Sequence, residues 1–394
     1  MNILHKRFAD TLEGLHAAGT YKRLRTISAP MAATTRVDGV GEILVFCSNN
    51  YLGLANHPKV LEAAEAGLRR YGAGTASVRF ICGTFECHGA LEEKVADFLG
   101  APAALSFTSC WNANEGLLPV LVEDGDAIVS DANNHASIID AGRLAGQATR
   151  KVFAHQDMAA LEQALVEVAE SELKIVISDG VFSMEGDVAQ LSEMSSLCQR
   201  HGAILVVDDS HGTGVLGARG RGSAEHCGLP IGAQGVDIVT STFGKALGGG
   251  NGGFVAGPVE LIDMLVQRSR PHLFSNALAP PLACAAHEAI CILEQEPERV
   301  ARLHANVHTM RKGLREIGYD VVDSPTGIIP IMIGDTAEAI RLSDRLLDMG
   351  IFVVGFGFPV VPEGAARLRV QMSSEHSAAQ IERTLDAFQT LHGH

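Results

Sequence analysis

Lys245 lies in the stretch Ser241-Thr-Phe-Gly-Lys245-Ala-Leu-Gly-Gly-Gly, after a short apolar run, Val236–Val239, and ahead of a glycine-rich stretch, Gly248–Gly253. Small neighbours let a bulky planar ligand come close to the backbone. A lysine in a dry site has a lowered pKa and is nucleophilic, so it can form a Schiff base with an aldehyde. Upstream, Asp208 and His211 close another apolar run, Ala203–Val207. An acid in that place can pair with a protonated pyridine nitrogen and keep the ring an electron sink. The histidine can bind the ring's 3′-oxygen. His135, in Asn133-Asn-His135-Ala-Ser137, can stack on such a ring and donate a proton to a substrate. Ser109, Cys110 and Trp111 precede a helical pattern, where backbone amides make a phosphate site; Thr242 can bond the same group. Lysine, acid and donors together call for pyridoxal phosphate (PLP).

Each of these residues also has an inert reading. Lys245 could be a surface lysine beside a loop, and His135 a satisfied loop histidine. Of Asp208 and Asp209, one could cap a helix or a turn. Cys110 could instead be a free nucleophile. Arg367 and Arg369 flank Leu368 on one face of a C-terminal strand and could be surface charges, or Arg369 could grip a substrate carboxylate bidentately.

The elements that must position these groups follow from hydrophobic pattern. An amphipathic helix is expected to about Arg25, with Phe8, Leu12 and Leu15 on one stripe. A β-prone segment ends in Ile43-Leu-Val-Phe-Cys47, and Pro58 opens a helix. From about residue 100, short apolar runs alternate with helical stretches: Ala103–Phe107, Ala127–Val129, Ile175–Ile177, Ala203–Val207, Val236–Val239 and Phe254–Ala256. Runs this short and apolar fit strands buried on both faces of a mostly parallel sheet. Ligands in such sheets sit at the carboxyl ends of the strands, and that is where the polar residues cluster. After about residue 285 the pattern is that of a smaller α+β domain. Ser377 and Gln380 form a capping box for its last helix. The expected division is an N-terminal segment, 1–50, a large cofactor-binding domain, 51–285, and a small C-terminal domain, 286–394.

Composition excludes several classes. The 394 residues are 46% apolar and 20% charged, a globular composition, and the formal charge of −15 argues against nucleic acid or an anionic membrane as partner. None of the eight cysteines forms a CxxC pair, and no metal-ligand spacing appears, so no metal is expected. No apolar signal core follows the N-terminus and no run spans a membrane, so a cytoplasmic protein is expected. Gly212-Thr-Gly214-Val-Leu-Gly217 matches a dinucleotide fingerprint, but it starts several residues past its strand and leads into Ala218-Arg-Gly-Arg-Gly222, which reads as a loop.

Taken together the chain resembles the α-oxoamine synthase family of fold-type I PLP enzymes, over nearly its whole length. The resemblance rests on Asn49-Asn-Tyr-Leu-Gly-Leu-Ala-Asn-His57-Pro, Ala76-Ser-Val-Arg-Phe-Ile-Cys-Gly-Thr84, Asn134-His-Ala-Ser-Ile-Ile-Asp140, Asp179-Gly-Val-Phe-Ser-Met184, Val207-Asp-Asp-Ser-His211, Gly244-Lys-Ala-Leu-Gly248 and Arg268-Ser-Arg-Pro-His-Leu-Phe-Ser-Asn276. It implies an α/β fold with a seven-stranded, mostly parallel sheet. It implies that Lys245, Asp208, His211 and His135 are catalytic and hold the cofactor, with Ser183 near the ring. Ser109, Cys110, Trp111 and Thr242 would bind its phosphate, and Ser275 and Asn276 would reach the phosphate of a second subunit in an obligate homodimer. Asn50 and Arg369 would bind the amino-acid carboxylate, and Lys22 and Arg25 the acyl-CoA phosphates. The last of the quoted motifs points to glycine and acetyl-CoA as substrates. Trp111, Ser210-His-Gly-Thr-Gly214 and Gly250-Asn251 depart from that pattern and leave open a sister synthase with another amino acid or a longer acyl-CoA.

Overall fold

The computed structural model describes residues 3–21, 24–358 and 360–392. It divides into two compact units, one made of Asn49–His304 with Ser324–Gly327, the other of Met1–Ser48, Ala305–Asp323 and Ile328–His394.

The smaller unit begins with helix Ile3–Ala17, which buries none of its residues. The expected helix to Arg25 stops eight residues early because Gly19 takes the left-handed conformation (φ 66°) and Thr20 N–H turns back to the Leu15 carbonyl. β1 (Thr34–Val37) and β2 (Gly41–Val45) form an antiparallel pair.

The larger unit is built on a seven-stranded sheet. Its strands are β3 (Ala103–Phe107), β4 (Ala127–Asp131), β5 (Thr149–Phe153), β6 (Lys174–Asp179), β7 (Ile204–Asp208), β8 (Ile238–Thr242) and β9 (Gly253–Gly257). The spatial order is β3-β9-β8-β7-β6-β4-β5. β9 runs antiparallel to both neighbours; the other pairings are parallel. Every residue of β6 and β9 is buried, which is why Ile175–Ile177 within β6 and Phe254–Ala256 within β9 read as unbroken apolar runs. β5 escaped the sequence reading. It is an edge strand, and in Thr-Arg-Lys-Val-Phe only Phe153 is buried, so it carries no apolar run. Helices such as Cys110–Leu121, Ala136–Leu144 and Leu191–His201 connect the strands. Leu117, Ile128, Ile138, Ile177, Val206 and Val255 belong to one buried cluster between sheet and helices.

The rest of the smaller unit is β10 (Ile328–Gly334), β11 (Ile351–Phe352), β12 (Val354–Phe356) and β13 (Ala366–Gln371). β10-β13-β12 form one antiparallel sheet, and β11 adds in parallel to β2. Helix Ala378–His392 starts at the expected capping box: Gln380 N–H donates to Ser377 Oγ (3.3 Å) and Ser377 N–H to Gln380 Oε1 (2.9 Å). His376 just before it is buried, with Ser373 N–H donating to its Nδ1 (3.1 Å) and its Nε2 bonded to the Val45 carbonyl (2.8 Å). Burial lowers its pKa to about 4.

Two predictions follow from packing alone. A Cβ on Gly253 would meet the backbone of Cys110 and Ser109, with Cys110 N at 2.3 Å. G253A should therefore push the start of helix Cys110–Leu121 off β9 and cost about 1–3 kcal/mol in urea unfolding. His376 folds neutral, and its unfolded counterpart takes up a proton first as pH falls. Its contribution is thus whole above the ordinary value of 6.5 and declines as pH drops towards 4, by up to about 3 kcal/mol. In H376Q, the slope of unfolding free energy between pH 6.5 and 4 should flatten relative to wild type.

Candidate active site

Three adjacent parallel strands end in carboxylates: β4 in Asp131, β6 in Asp179 and β7 in Asp208. Asp179 and Asp208 are directly paired in register. β8, next to β7, ends at Thr242, three residues before Lys245. A parallel sheet delivers all these groups to one edge because each strand enters it from the same side.

Asp208 is 3% exposed. Its Oδ2 accepts from Asn114 Nδ2 (2.7 Å) and the Cys110 thiol (3.6 Å), and its Oδ1 from Ser210 N–H (3.1 Å). Burial, then the Asp208 charge, raises the Cys110 thiol well above its ordinary value. Cys110 is therefore a neutral donor to Asp208, and its reading as a nucleophile is set aside. Burial likewise pushes Asp179 well above the carboxylate range, and Asp208 adds to that. Asp179 Oδ2 accepts from His135 N–H (2.8 Å).

His135 caps helix Ala136–Leu144. Ser137 N–H donates to its Nδ1 (3.3 Å), and Ser137 Oγ lies 2.8 Å from the same nitrogen while accepting from Asn114 Nδ2 (2.9 Å). That pattern makes Nδ1 the acceptor and puts the ring hydrogen on Nε2. Burial lowers the pKa of His135, with Asp208 raising it and Lys245 lowering it, so the ring is neutral and a donor from Nε2. The charges of Lys245 and Asp208 both bear on Cys110 and on His135, which brings the amine, the acid and the donor into one neighbourhood.

His211 is buried, and its Nδ1 lies 2.9 Å from the Tyr51 hydroxyl. Ser109 caps helix Cys110–Leu121 by accepting from Asn112 N–H, so Cys110 and Trp111 occupy the first turn. The Trp111 ring stands edge-on to His135, with centroids 5.8 Å apart. Thr242 Oγ1 donates to the Gly252 carbonyl (3.0 Å) and accepts from Gly244 N–H (3.0 Å). In this arrangement it braces the lysine loop. Ser183 is half-buried in the turn after β6.

Ser275 and Asn276 are exposed, just past helix Arg270–Phe274. Asn50 is buried and accepts from Ala55 N–H (3.1 Å). Arg369 belongs to the smaller unit, where its guanidinium lies 4.7 Å from the centre of the Phe356 ring and Nη2 donates to Gln371 (3.3 Å). Arg367, for which a surface charge was one alternative, is buried and donates to the Ala365 carbonyl (3.1 Å). Arg25 is exposed and paired with Asp344 (3.0 Å), and Lys22 lies outside the described residues.

The residues fit PLP. Asp208 is a buried carboxylate suited to a ring cation, Lys245 is a primary amine for the aldehyde, and a capped helix start offers amides to phosphate. The Gly212–Gly217 match is a series of turns with Gly214 and Gly217 at φ 83° and 81°. It wraps Asp209, whose Oδ2 accepts from Thr213 Oγ1 (2.9 Å), so it opens no helix for a dinucleotide. His287, Glu288 and Cys291 bring three possible metal donors within 4.8 Å of one another, but the Lys94 charge bears on two of them and opposes a cation.

Sequence reasoning missed Asn114, Tyr51 and Asp179 as working parts. Asn114 is the hub: it donates to both Asp208 and Ser137 and accepts from Thr240 Oγ1 (2.8 Å). Its signal was present, a polar residue inside the buried stripe of Ala113, Leu117 and Leu118.

Residues 41–388 match the model of the family described as aminotransferase class I and II. The chain belongs to that family. It is 45% identical to 2-amino-3-ketobutyrate coenzyme A ligase of Salmonella typhimurium over 386 residues, covering 98% of this chain and 96% of that one. It is 42% identical to 8-amino-7-oxononanoate synthase of Symbiobacterium thermophilum, covering 96% and 95%. A high-resolution structure of SPT solved with PLP superposes with a TM-score of 0.93 at 30% identity, over 99% of this chain and 98% of the other. No helix among the described residues is long and apolar enough to cross a membrane.

Replacing Asn114 by leucine should strand the Asp208 carboxylate and the Thr240 hydroxyl, which are 3% and 0% exposed. The expected loss is about 1–3 kcal/mol in urea unfolding of the cofactor-free protein, together with weaker PLP retention on dialysis.

Proposed function

We propose that this chain is a PLP-dependent acyltransferase that condenses glycine with acetyl-CoA to 2-amino-3-oxobutanoate and CoA, or runs the reverse, CoA-dependent cleavage. One observation carries the reading: 45% identity to a 2-amino-3-ketobutyrate coenzyme A ligase over 98% of the chain, with Lys245 and the buried Asp208 in place. When bound, PLP supplies an electron sink for charge developing on the amino acid's α-carbon. Asp208 holds the proton on the ring nitrogen, and the Asn114, Cys110 and Ser210 donors hold Asp208. Lys245 takes the α-carbon proton and returns it. His135 donates from Nε2 to oxygen on which charge develops as the thioester is attacked. His211, with Tyr51, and Ser183 serve the ring's 3′-oxygen.

The phosphate belongs at the first turn of helix Cys110–Leu121, with Ser109, Cys110, Trp111 and Thr242. Asn50 and Arg369 take the amino-acid carboxylate, and Arg25 and Lys22 the acyl-CoA phosphates. Ser275 and Asn276 complete the phosphate site of a second copy, a role that their exposure in a single chain supports. The reading thus includes a homodimer, working in the cytoplasm in threonine breakdown.

A second reading, a sister synthase using a longer acyl-CoA or another amino acid, is supported by the 42% identity to an 8-amino-7-oxononanoate synthase and by the Ser210-His-Gly-Thr-Gly214 stretch. Turnover with a panel of amino acids and acyl-CoAs separates the two: glycine with acetyl-CoA should give the highest kcat/KM. If a long-chain donor exceeds acetyl-CoA, the second reading replaces the first. K245A should lower kcat by about 10³-fold or more, and borohydride should fix the cofactor to the Lys245 peptide in wild type only.

A further inference from the structure

A second charged cluster lies beside the one around Asp208. His155, just past β5, has Nδ1 2.9 Å from Asp131 Oδ1 and Nε2 3.0 Å from Asp187 Oδ2. A carboxylate only accepts, so satisfying both bonds needs a hydrogen on each ring nitrogen, the imidazolium form. Burial pulls the pKa of His155 down, but the bonds to Asp131 and Asp187 and the two carboxylate charges outweigh it and lift the value to about 10. The ring stands edge-on to Phe182, with centroids 4.4 Å apart. The charged groups facing it are Asp131 from the end of β4 and Asp187 from the turn after β6; Asp179, at the end of β6, in turn feels Asp131.

Gln156 repeats the link. Its N–H donates to Asp131 Oδ2 (3.0 Å) and its Nε2 to Asp187 Oδ2 (2.7 Å). Its φ is +54°, a left-handed conformation that costs a residue with a side chain free energy. Two consecutive residues thus span the same pair of aspartates, one of them under strain.

What the aspartates carry explains why this matters. Asp187 closes the turn that holds Ser183: Val181 bridges Val188, Phe182 N–H donates to the Asp187 carbonyl (3.1 Å) and Gly186 N–H to the Phe182 carbonyl (2.8 Å). Asp131 opens the turn that holds His135: its Oδ1 accepts from Asn133 N–H (2.8 Å), and Asn134 then exchanges bonds with Ile177 and Asp179 at the end of β6.

We propose that His155 is a positioning residue: bonded to both Asp131 and Asp187, it locks the Ser183 turn against the turn that presents His135. It deepens the proposed function and rests on that reading only for its effect on turnover.

The test uses the PLP-loaded enzyme and the variants H155L, H155Q and D187N. Hydrogen exchange of amides 180–188 should quicken about tenfold in H155L and D187N, with β7 amides unchanged, and H155Q should recover part of the protection. Trp111 is the single tryptophan and stands against His135, so its emission should shift in H155L even without cofactor. In turnover, kcat should fall about tenfold with KM for acetyl-CoA within about twofold of wild type. Unchanged exchange in 180–188 in both variants overturns the proposal. So does equal quickening in all segments, which marks a merely structural role. Should H155L not fold, D187N, which keeps the shape and removes one charge, decides by the same local readout. A wild type inactive on glycine and acetyl-CoA sinks the functional reading, while exchange and Trp111 emission still decide the role of His155.

Discussion

The constraint on which the larger unit depends is a carboxylate kept out of water. Asp208, 3% exposed, is held by an amide, a thiol and a backbone N–H, none of them charged. Burying a carboxylate among neutral donors is costly, and the cost falls when a cation stands beside it. The sheet sets up that situation by ending β6 and β7 in register on two acids, Asp179 and Asp208. Two such neighbours do not both stay ionised cheaply, and Asp179 is the one pushed up. Asp179 in turn serves as acceptor for the His135 backbone N–H.

Asn114 turns these separate strand ends into one device. It reaches Asp208 and, through Ser137, the Nδ1 of His135, so both side chains are oriented by a single buried amide. Fixing Nδ1 as acceptor settles which nitrogen of His135 carries hydrogen. The helix that carries Asn114 also begins at the expected phosphate cradle, and Gly253 lets β9 lie against its first turn. One helix, Cys110–Leu121, therefore carries both the amide that holds Asp208 and the first turn proposed for the phosphate.

Much of this was legible in the sequence. The strands β3, β4, β6, β7, β8 and β9 announced themselves as short apolar runs because both faces are covered, and the polar residues after them marked the carboxyl edge. Lys245, Asp208, His211 and His135 could be picked out by type and by position after those runs. What could not be read was contact between residues distant in sequence. Asn114 looked like one polar residue in a helix, and only its reach to Asp208, 94 positions on, gives it meaning. Edge strand β5 carried no pattern because it packs on one side only. The end of the first helix was misplaced because the stop lies in one backbone torsion at Gly19, not in the apolar stripe. Nor could the bonds of the Thr242 hydroxyl to Gly252 and Gly244, which close the lysine loop, be read from its type.

The same geometry explains why substrate identity is the harder question. Enzymes named for different products, a 2-amino-3-ketobutyrate ligase and an 8-amino-7-oxononanoate synthase, are 45% and 42% identical to this chain over nearly its full length. The difference of three points is too small for the shared framework to discriminate between them. The hydrogen-bonded network of Asp208, Asn114, Ser137 and His135 touches no group that would meet an acyl chain in the proposed reaction. Discrimination among acyl chains has to come from steric and apolar contacts outside that network, where one methylene is worth only about 1–3 kcal/mol. Trp111 offers one such surface: it is an exposed apolar ring in the first turn of helix Cys110–Leu121, edge-on to His135, and it supplies no charge.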